Sequence, residues 1–168
     1  MDNNIPSFDE IYYGYYIKVN RYIKKKINNP EDANDLTQDV FEYCYRKLDS
    51  FDPNKSSIST WLFLITNSRL KNYYRDTKSN DCLDDYENIL PDTNDDMEKA
   101  VYLEELKKML LGAIDELPQK QQDVVIRFYF WEQSHAEIAK ELGLSEGNSR
   151  VVLSRALTTM RDLLKDKV

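Results

Sequence analysis

The stretch from Ser134 to Leu164, SHAEIAKELGLSEGNSRVVLSRALTTMRDLL, constrains the fold more than any other part of the chain. Ser134 and Glu137 have the spacing of a capping box, in which two side chains satisfy each other's free backbone N–H groups at a helix start. Ile138, Ala139 and Leu142 give that helix one apolar face. Gly143 follows where a helix end needs a left-handed residue. Leu144 is an apolar plug, and Ser145 can cap a second helix. There Leu153, Ala156, Met160, Leu163 and Leu164 recur at three and four, so one face is buried, while Arg150, Ser154 and Arg155 lie opposite. Two helices joined by such a turn have the shape of a helix-turn-helix, whose second helix can enter a DNA major groove. An ordinary helical hairpin shares the same pattern.

Charge qualifies that reading. The 168 residues carry a net charge of −7, whereas phosphate contacts require Lys and Arg. The deficit is local: residues 81–116 hold 12 acidic and 3 basic side chains, while residues 1–80 and 117–168 each stand at +1. A basic face on either flank is therefore possible. No apolar run reaches the roughly 18 residues of a membrane span. The polar, acidic beginning MDNNIPSFDE does not read as a secretory signal, so a cytoplasmic protein is expected. Cys44 and Cys82 have no metal-ligand neighbours and read as reduced thiols. His135 stands alone at a helix start and reads as structural or as a surface residue. No His/Cys/carboxylate cluster, Gly-rich phosphate loop or activated nucleophile is present, so neither an enzyme nor a bound metal or cofactor is expected.

Along the chain, residues 7–27 predict a helix with Phe8, Ile11, Tyr12, Tyr15, Val19, Tyr22 and Ile23 on one side. Lys24, Lys25 and Lys26 close it, a placement that suits the helix dipole or a phosphate. Asn29-Pro30-Glu31-Asp32 opens a second helix with Ala33, Leu36, Val40, Phe41, Cys44 and Leu48 as its stripe. On another face of that helix Asp32, Asp35, Asp39 and Glu42 repeat at three and four. Like charges so placed repel slightly, so local stability does not account for them. A solvated face and a docking face for a basic partner both fit. FDPNKSSIS, Phe51 to Ser59, is a loop with turn chemistry. Its Lys55, Ser56 and Ser57 suit a phosphate or base edge and are also ordinary turn residues.

Ser59 or Thr60 is expected to cap a third helix, apolar in its first half (Trp61 to Ile65). Its second half is basic and aromatic, with Arg69, Lys71, Tyr73, Tyr74, Arg75 and Lys78. Arginine with tyrosine can stack unpaired bases, and tyrosine at helical spacing can equally be core. Residues 79–96 are acidic, broken by Pro91 and without periodicity, so they read as a linker. A helix over 97–116, with Leu103, Leu106, Leu110, Ala113 and Ile114 as its stripe, precedes one starting at Leu117-Pro118. No strand alternation persists, so the fold class is all-α: two small helical domains, 1–79 and 97–168, joined by a flexible acidic linker over 80–96. The linker's low apolar content predicts no fixed orientation between the domains.

Two blocks then resemble the sigma-70 family of bacterial transcription initiation factors, in its extracytoplasmic-function (ECF) branch. DANDLTQDVFEYCYRKL (Asp32 to Leu48) with STWLFLITNSRLKNYYRDTK (Ser59 to Lys78) is similar to sigma region 2. AIDELPQKQQDVV (Ala113 to Val125) with HAEIAKELGLSEGNSRVVLSRA (His135 to Ala156) resembles region 4. The blocks cover most of the chain in the family's order. The resemblance implies a sigma factor that binds core RNA polymerase and directs promoter recognition and melting. It implies that Asp32, Asp35, Gln38, Asp39 and Glu42 dock on polymerase. Lys55, Ser56 and Ser57 would form a pocket for a flipped promoter base, with Trp61, Arg69, Asn72, Tyr73 and Arg75 along the melting −10 strand. Ser145, Glu146, Asn148, Arg150, Val151, Ser154 and Arg155 would lie on the double-stranded −35 element. An anti-sigma factor is implied as a further partner.

The chain departs from the pattern at Ser68, Asn72, Asn148, Ser149, Val152 and Leu157. The last four, in the recognition helix, thin its basic face and favour fewer or more apolar base contacts, such as methyl contacts to thymine. Two other functions remain compatible with the residues. One is a stand-alone helix-turn-helix regulator, the other a sigma mimic that titrates an anti-sigma factor.

Overall fold

The structure is a computed structural model that describes residues 5–80 and 94–167. These form α1 (Phe8–Lys26), α2 (Pro30–Lys47), a 3-10 turn (Leu48–Ser50), α3 (Ile58–Asn80), α4 (Asn94–Asp115), α5 (Gln119–Tyr129), α6 (His135–Leu142) and α7 (Glu146–Lys165). Among the described residues there is no strand, and no helix is long and apolar enough to cross a membrane. The expected linker falls mostly at 81–93, outside the described residues; its last positions, 94–96, already belong to α4.

Helix boundaries follow local chemistry. Ser7 and Glu10 form a capping box at α1, and the Asn29 side chain accepts from the Glu31 and Asp32 N–H groups at α2. The expected cap of α3 is displaced. Ser57, rather than Ser59 or Thr60, accepts from the Thr60 N–H at 3.1 Å, and Ser59 and Thr60 are buried. That shift lets α3 begin at Ile58. The Ser134–Glu137 box and the Ser145 cap form as expected. Gly143 takes φ 68°, ψ 34° at the end of α6, the left-handed conformation that glycine adopts without a Cβ penalty.

Burial sorts the stripes. In α1, Ile11, Val19, Tyr22 and Ile23 are buried; in α2, Ala33, Leu36, Val40, Phe41 and Cys44. In α7 the buried set is Leu153, Ala156 and Met160, with Leu163 and Leu164 half-buried. The expected stripe of α4 is only partly used. Ala113 and Ile114, at the end of the helix, are buried, whereas Leu103 and Leu110 are exposed. Burial pushes the Cys44 thiol up to about 11, which keeps it protonated and unreactive. Cys82 lies outside the described residues.

The helices pack as α1 on α2 and α2 on α3, then α5 and α6 on α7, and α3 meets α5. One buried cluster therefore runs through both halves, from Ile11 and Phe63 to Trp131 and Ile138. The two helical halves are in contact in this structure. The contact runs through the turn between α5 and α6, whose Trp131 is fully buried.

Candidate nucleic-acid interface

The second half of α3 and the acidic face of α2 lie side by side. Arg69 is held on two sides: its guanidinium sits 4.4 Å from the Tyr43 ring centroid, and its Nη1 is 3.6 Å from an Asp39 carboxylate oxygen. Tyr73 donates its hydroxyl to Asp32 at 2.7 Å, and that bond and the burial around it push the phenol's pKa up. Tyr74 donates to the Lys26 carbonyl at 2.6 Å. Two acids of α2, Asp32 and Asp39, thus have partners on α3, while Asp35, Gln38 and Glu42 are exposed to solvent. This gives the repeated acids part of the structural role that helix energetics alone did not supply.

Tyr43, Trp61, Leu64, Ile65, Ser68, Arg69 and Asn72 line an open pocket of about 350 Å³ between these helices. It combines aromatic walls with a guanidinium, an amide and a hydroxyl. Such a set can stack a flat ring and hydrogen-bond to its edge. Trp61 packs on the buried Phe51, with ring centroids 5.1 Å apart, which ties the loop to the start of α3. Arg75 is exposed and pairs with Asp76 at 3.6 Å.

The loop residues divide. Lys55 is exposed. Ser57, half-buried, donates to Asp123 of α5 at 3.0 Å while it caps α3. Gln119 of α5 donates to the Pro53 carbonyl at 3.1 Å. The loop is thus bonded to the second half of the chain, which the sequence did not suggest.

In that second half, α6 and α7 cross through Gly143 and Leu144. The exposed side of α7 carries Glu146, Asn148, Arg150, Val151, Ser154 and Arg155, and Arg150 lies 3.5 Å from Glu146. Ser149, one of the departures from the family pattern, does not reach this surface. It is fully buried, and its Oγ is 2.9 Å from Nδ1 of His135, whose ring stacks on Phe128 at 4.7 Å. The single histidine therefore ties α6 to the start of α7.

Tyr43, Asp123, Arg127 and Glu132 escaped the sequence reading. Asp123 and Arg127 are nearly buried and paired at 2.8 Å; Arg127 also binds Glu141 through a very short contact and Gln133 at 3.2 Å. Burial favours a neutral Arg127, but its interactions with Tyr15, Asp123 and Glu141 outweigh that and raise its pKa. Their signal was a pair of opposite charges at i, i+4 in the otherwise apolar run DVVIRFYFW, where a charge needs a partner.

An all-α chain with an aromatic-basic helix beside an acidic one, followed by a helix-turn-helix, defines a DNA-binding transcription factor. Residues 11–80 match Sigma-70 region 2 and residues 107–160 match Sigma-70, region 4. RNA polymerase sigma factor YlaC of Bacillus subtilis is 33% identical over 152 residues, covering 89% of this chain and 87% of YlaC. ECF RNA polymerase sigma factor SigM of the same organism is 27% identical over 157 residues, 94% of each chain. ECF RNA polymerase sigma factor RpoE of Cereibacter sphaeroides is 27% identical over 155 residues, 92% of this chain and 84% of RpoE. A solved structure of the sigma factor RpoE with the anti-sigma factor NepR from Bartonella quintana aligns at TM-score 0.45 and 19% identity, covering 94% of this chain and 96% of that one. The chain belongs to the sigma-70 family of RNA polymerase sigma factors, in its ECF branch.

Proposed function

We propose that this ECF sigma factor acts in the cytoplasm, without catalytic activity of its own, by dividing promoter recognition between its two halves. Residues 1–79 serve core polymerase and the −10 element, 80–96 connect, and 97–168 serve the −35 element. Asp35, Gln38 and Glu42, with Asp32 and Asp39 at their edge, meet a basic surface of polymerase. Trp61, Arg69, Asn72, Tyr73 and Arg75 follow the unpaired strand, and the Lys55–Ser57 loop takes a base. On the duplex, Arg150 and Arg155 contact phosphates or base edges while Val151 offers an apolar contact. An anti-sigma protein is the partner that would hold the chain inactive.

The observation that carries this reading is the adjacency of the acidic face of α2 and the aromatic-basic face of α3, bridged by Asp39–Arg69 and Asp32–Tyr73. It allows one small half to hold polymerase and a single strand at once. The test is run-off transcription with core RNA polymerase on promoter fragments from the source genome. Start sites that depend on the protein and vanish with Asp35→Arg or Arg150→Ala are expected. Tight, salt-sensitive duplex binding without polymerase-dependent transcription would overturn the reading in favour of a stand-alone regulator.

A further inference from the structure

A polar side chain with no exposed surface needs a partner inside the protein. Ser149, near the start of α7, is 0% exposed, and its Oγ lies 2.9 Å from Nδ1 of His135 at the start of α6. The imidazole is itself held flat. It stacks on Phe128 of α5, with ring centroids 4.7 Å apart and planes 25° from parallel. One hydrogen bond and one ring stack thus join three helices at the point where α7 begins. A hydrogen bond is directional where apolar packing is not, so this clasp fixes the rotation of α7 about its own axis.

Asn148 lies between two such restraints. On one side its backbone N–H donates to the Ser145 Oγ at 3.0 Å, the cap of the helix. On the other stands Ser149, tied to His135 through its side chain and to the Ser145 carbonyl through its N–H at 3.0 Å. The turn before them is closed by the Leu144 N–H, which donates to the Ala139 carbonyl at 2.8 Å. Asn148 itself is exposed, on the same surface as Arg150 and Val151. Its place there is set by the frame of α6 and α7. An asparagine amide offers a donor and an acceptor side by side, the pattern that matches N7 and N6 of adenine in the major groove. Arg150 and Arg155 match guanine or phosphate instead, and Arg150 lies 3.5 Å from Glu146. Among the residues read onto the −35 element, Asn148 is the one that can pair both atoms of an adenine edge.

We propose that Asn148 reads an adenine of the −35 element, and that His135 and Ser149 are the positioning residues that hold it to that base. The inference rests on the reading of α7 as the promoter helix and adds to it one base and the two residues behind it. Base reading needs a side chain on a rigid element whose neighbours lock it in place. Ser149 supplies this from beneath the surface without touching DNA. Two of the departures from the family pattern, Asn148 and Ser149, thereby act together, one facing the base and one bonded beneath it.

The test uses holoenzyme assembled from the full chain and core RNA polymerase, in competition among promoter duplexes in which each −35 base pair is changed in turn. The parent is expected to prefer adenine at one position by about fivefold or more, the smaller end of what a bidentate base contact contributes. Asn148→Ala is expected to abolish that preference and leave the other positions unchanged. His135→Phe keeps a ring on Phe128 and removes Nδ1, and Ser149→Ala removes the hydroxyl. Each is expected to cut the same preference to about twofold with the salt slope of binding unchanged, and the double variant to do no more than either alone. Thermal unfolding of each variant separates this from loss of the fold, and Ser149→Ala carries the test should His135→Phe not fold. An adenine preference that survives both His135→Phe and Ser149→Ala overturns the positioning role. An adenine preference untouched by Asn148→Ala, or preferences at other bases only, overturns the base assignment and leaves α7 as the promoter helix. A parent with no base preference anywhere in the −35 element strikes the promoter reading itself.

Discussion

Arg69 and Asp39 form a 3.6 Å ion pair that joins α3, the helix proposed to follow the promoter strand, to α2, the helix proposed to meet polymerase. The pair is partly exposed, and the Tyr43 ring under the guanidinium completes the brace. Asp39 is thus expected to matter twice. With core polymerase at saturation, Asp39→Asn should lower capture of a single-stranded −10 oligonucleotide by about two- to fivefold, the size of a ~0.5–1 kcal/mol cation–π and surface ion-pair contribution. Oligonucleotide anisotropy measures this. An effect on core affinity alone would confine Asp39 to docking.

Trp131 touches both halves and has no exposed surface. Trp131→Ala should cost about 3–5 kcal/mol, the range for a large aromatic removed from a core. It should also split urea unfolding into two transitions, since the shared cluster is what makes the halves cooperate. A single transition with the midpoint unmoved would contradict the shared core.

Gly143 has φ +68°, and a Cβ built there meets no atom within 4 Å. Gly143→Ala should therefore cost about 1 kcal/mol, from backbone conformation alone. Thermal unfolding would read it, and an unaltered melting temperature would mean that this turn relaxes freely.

Arg150 and Arg155 are exposed on α7. If each meets a phosphate of the −35 duplex, replacing either by alanine should lower the salt slope of holoenzyme binding by about 0.9. Binding measured across a salt series decides this. A change confined to one base position, with the slope preserved, would instead assign that arginine to a base edge.

Glu141 is held below the usual carboxylate value of 4.5: burial acts to raise it, but hydrogen bonding from Gln133 and the charges of Arg127 and Lys18 lower it further. A depressed folded pKa stabilises the fold fully above the unfolded value, and that contribution disappears as pH falls through the folded value. Urea midpoints should thus be flat from neutral pH to about 4.5 with respect to this group and drop below it. Glu141→Gln should flatten the acid limb; an identical limb in that variant would remove Glu141 from the account.

Most of the helices were legible because their signals are local. Ser134 with Glu137, Asn29 with Pro30, and Gly143 act over one turn of chain, and each forms as its residues require. Periodicity located the buried faces of α1, α2 and α7 for the same reason. It misjudged α4, where Leu103 and Leu110 are apolar at the right spacing but stay exposed among the described residues. The cap of α3 fell on Ser57 because that hydroxyl serves the helix and Asp123 at once, a choice made by a residue far along the chain.

The sequence by itself determined the helical class, the helix-turn-helix and the family, since all three are written in spacings of three and four and in cap residues. Tertiary structure alone decided how the halves meet. The contact depends on Trp131 finding a space between α1 and α3, on Glu132 accepting an unfavourable backbone angle under two cations, and on buried Asp123 and Arg127 satisfying each other. None of these has a period, because each depends on residues brought together from distant parts of the chain, and only the packed chain sets those distances.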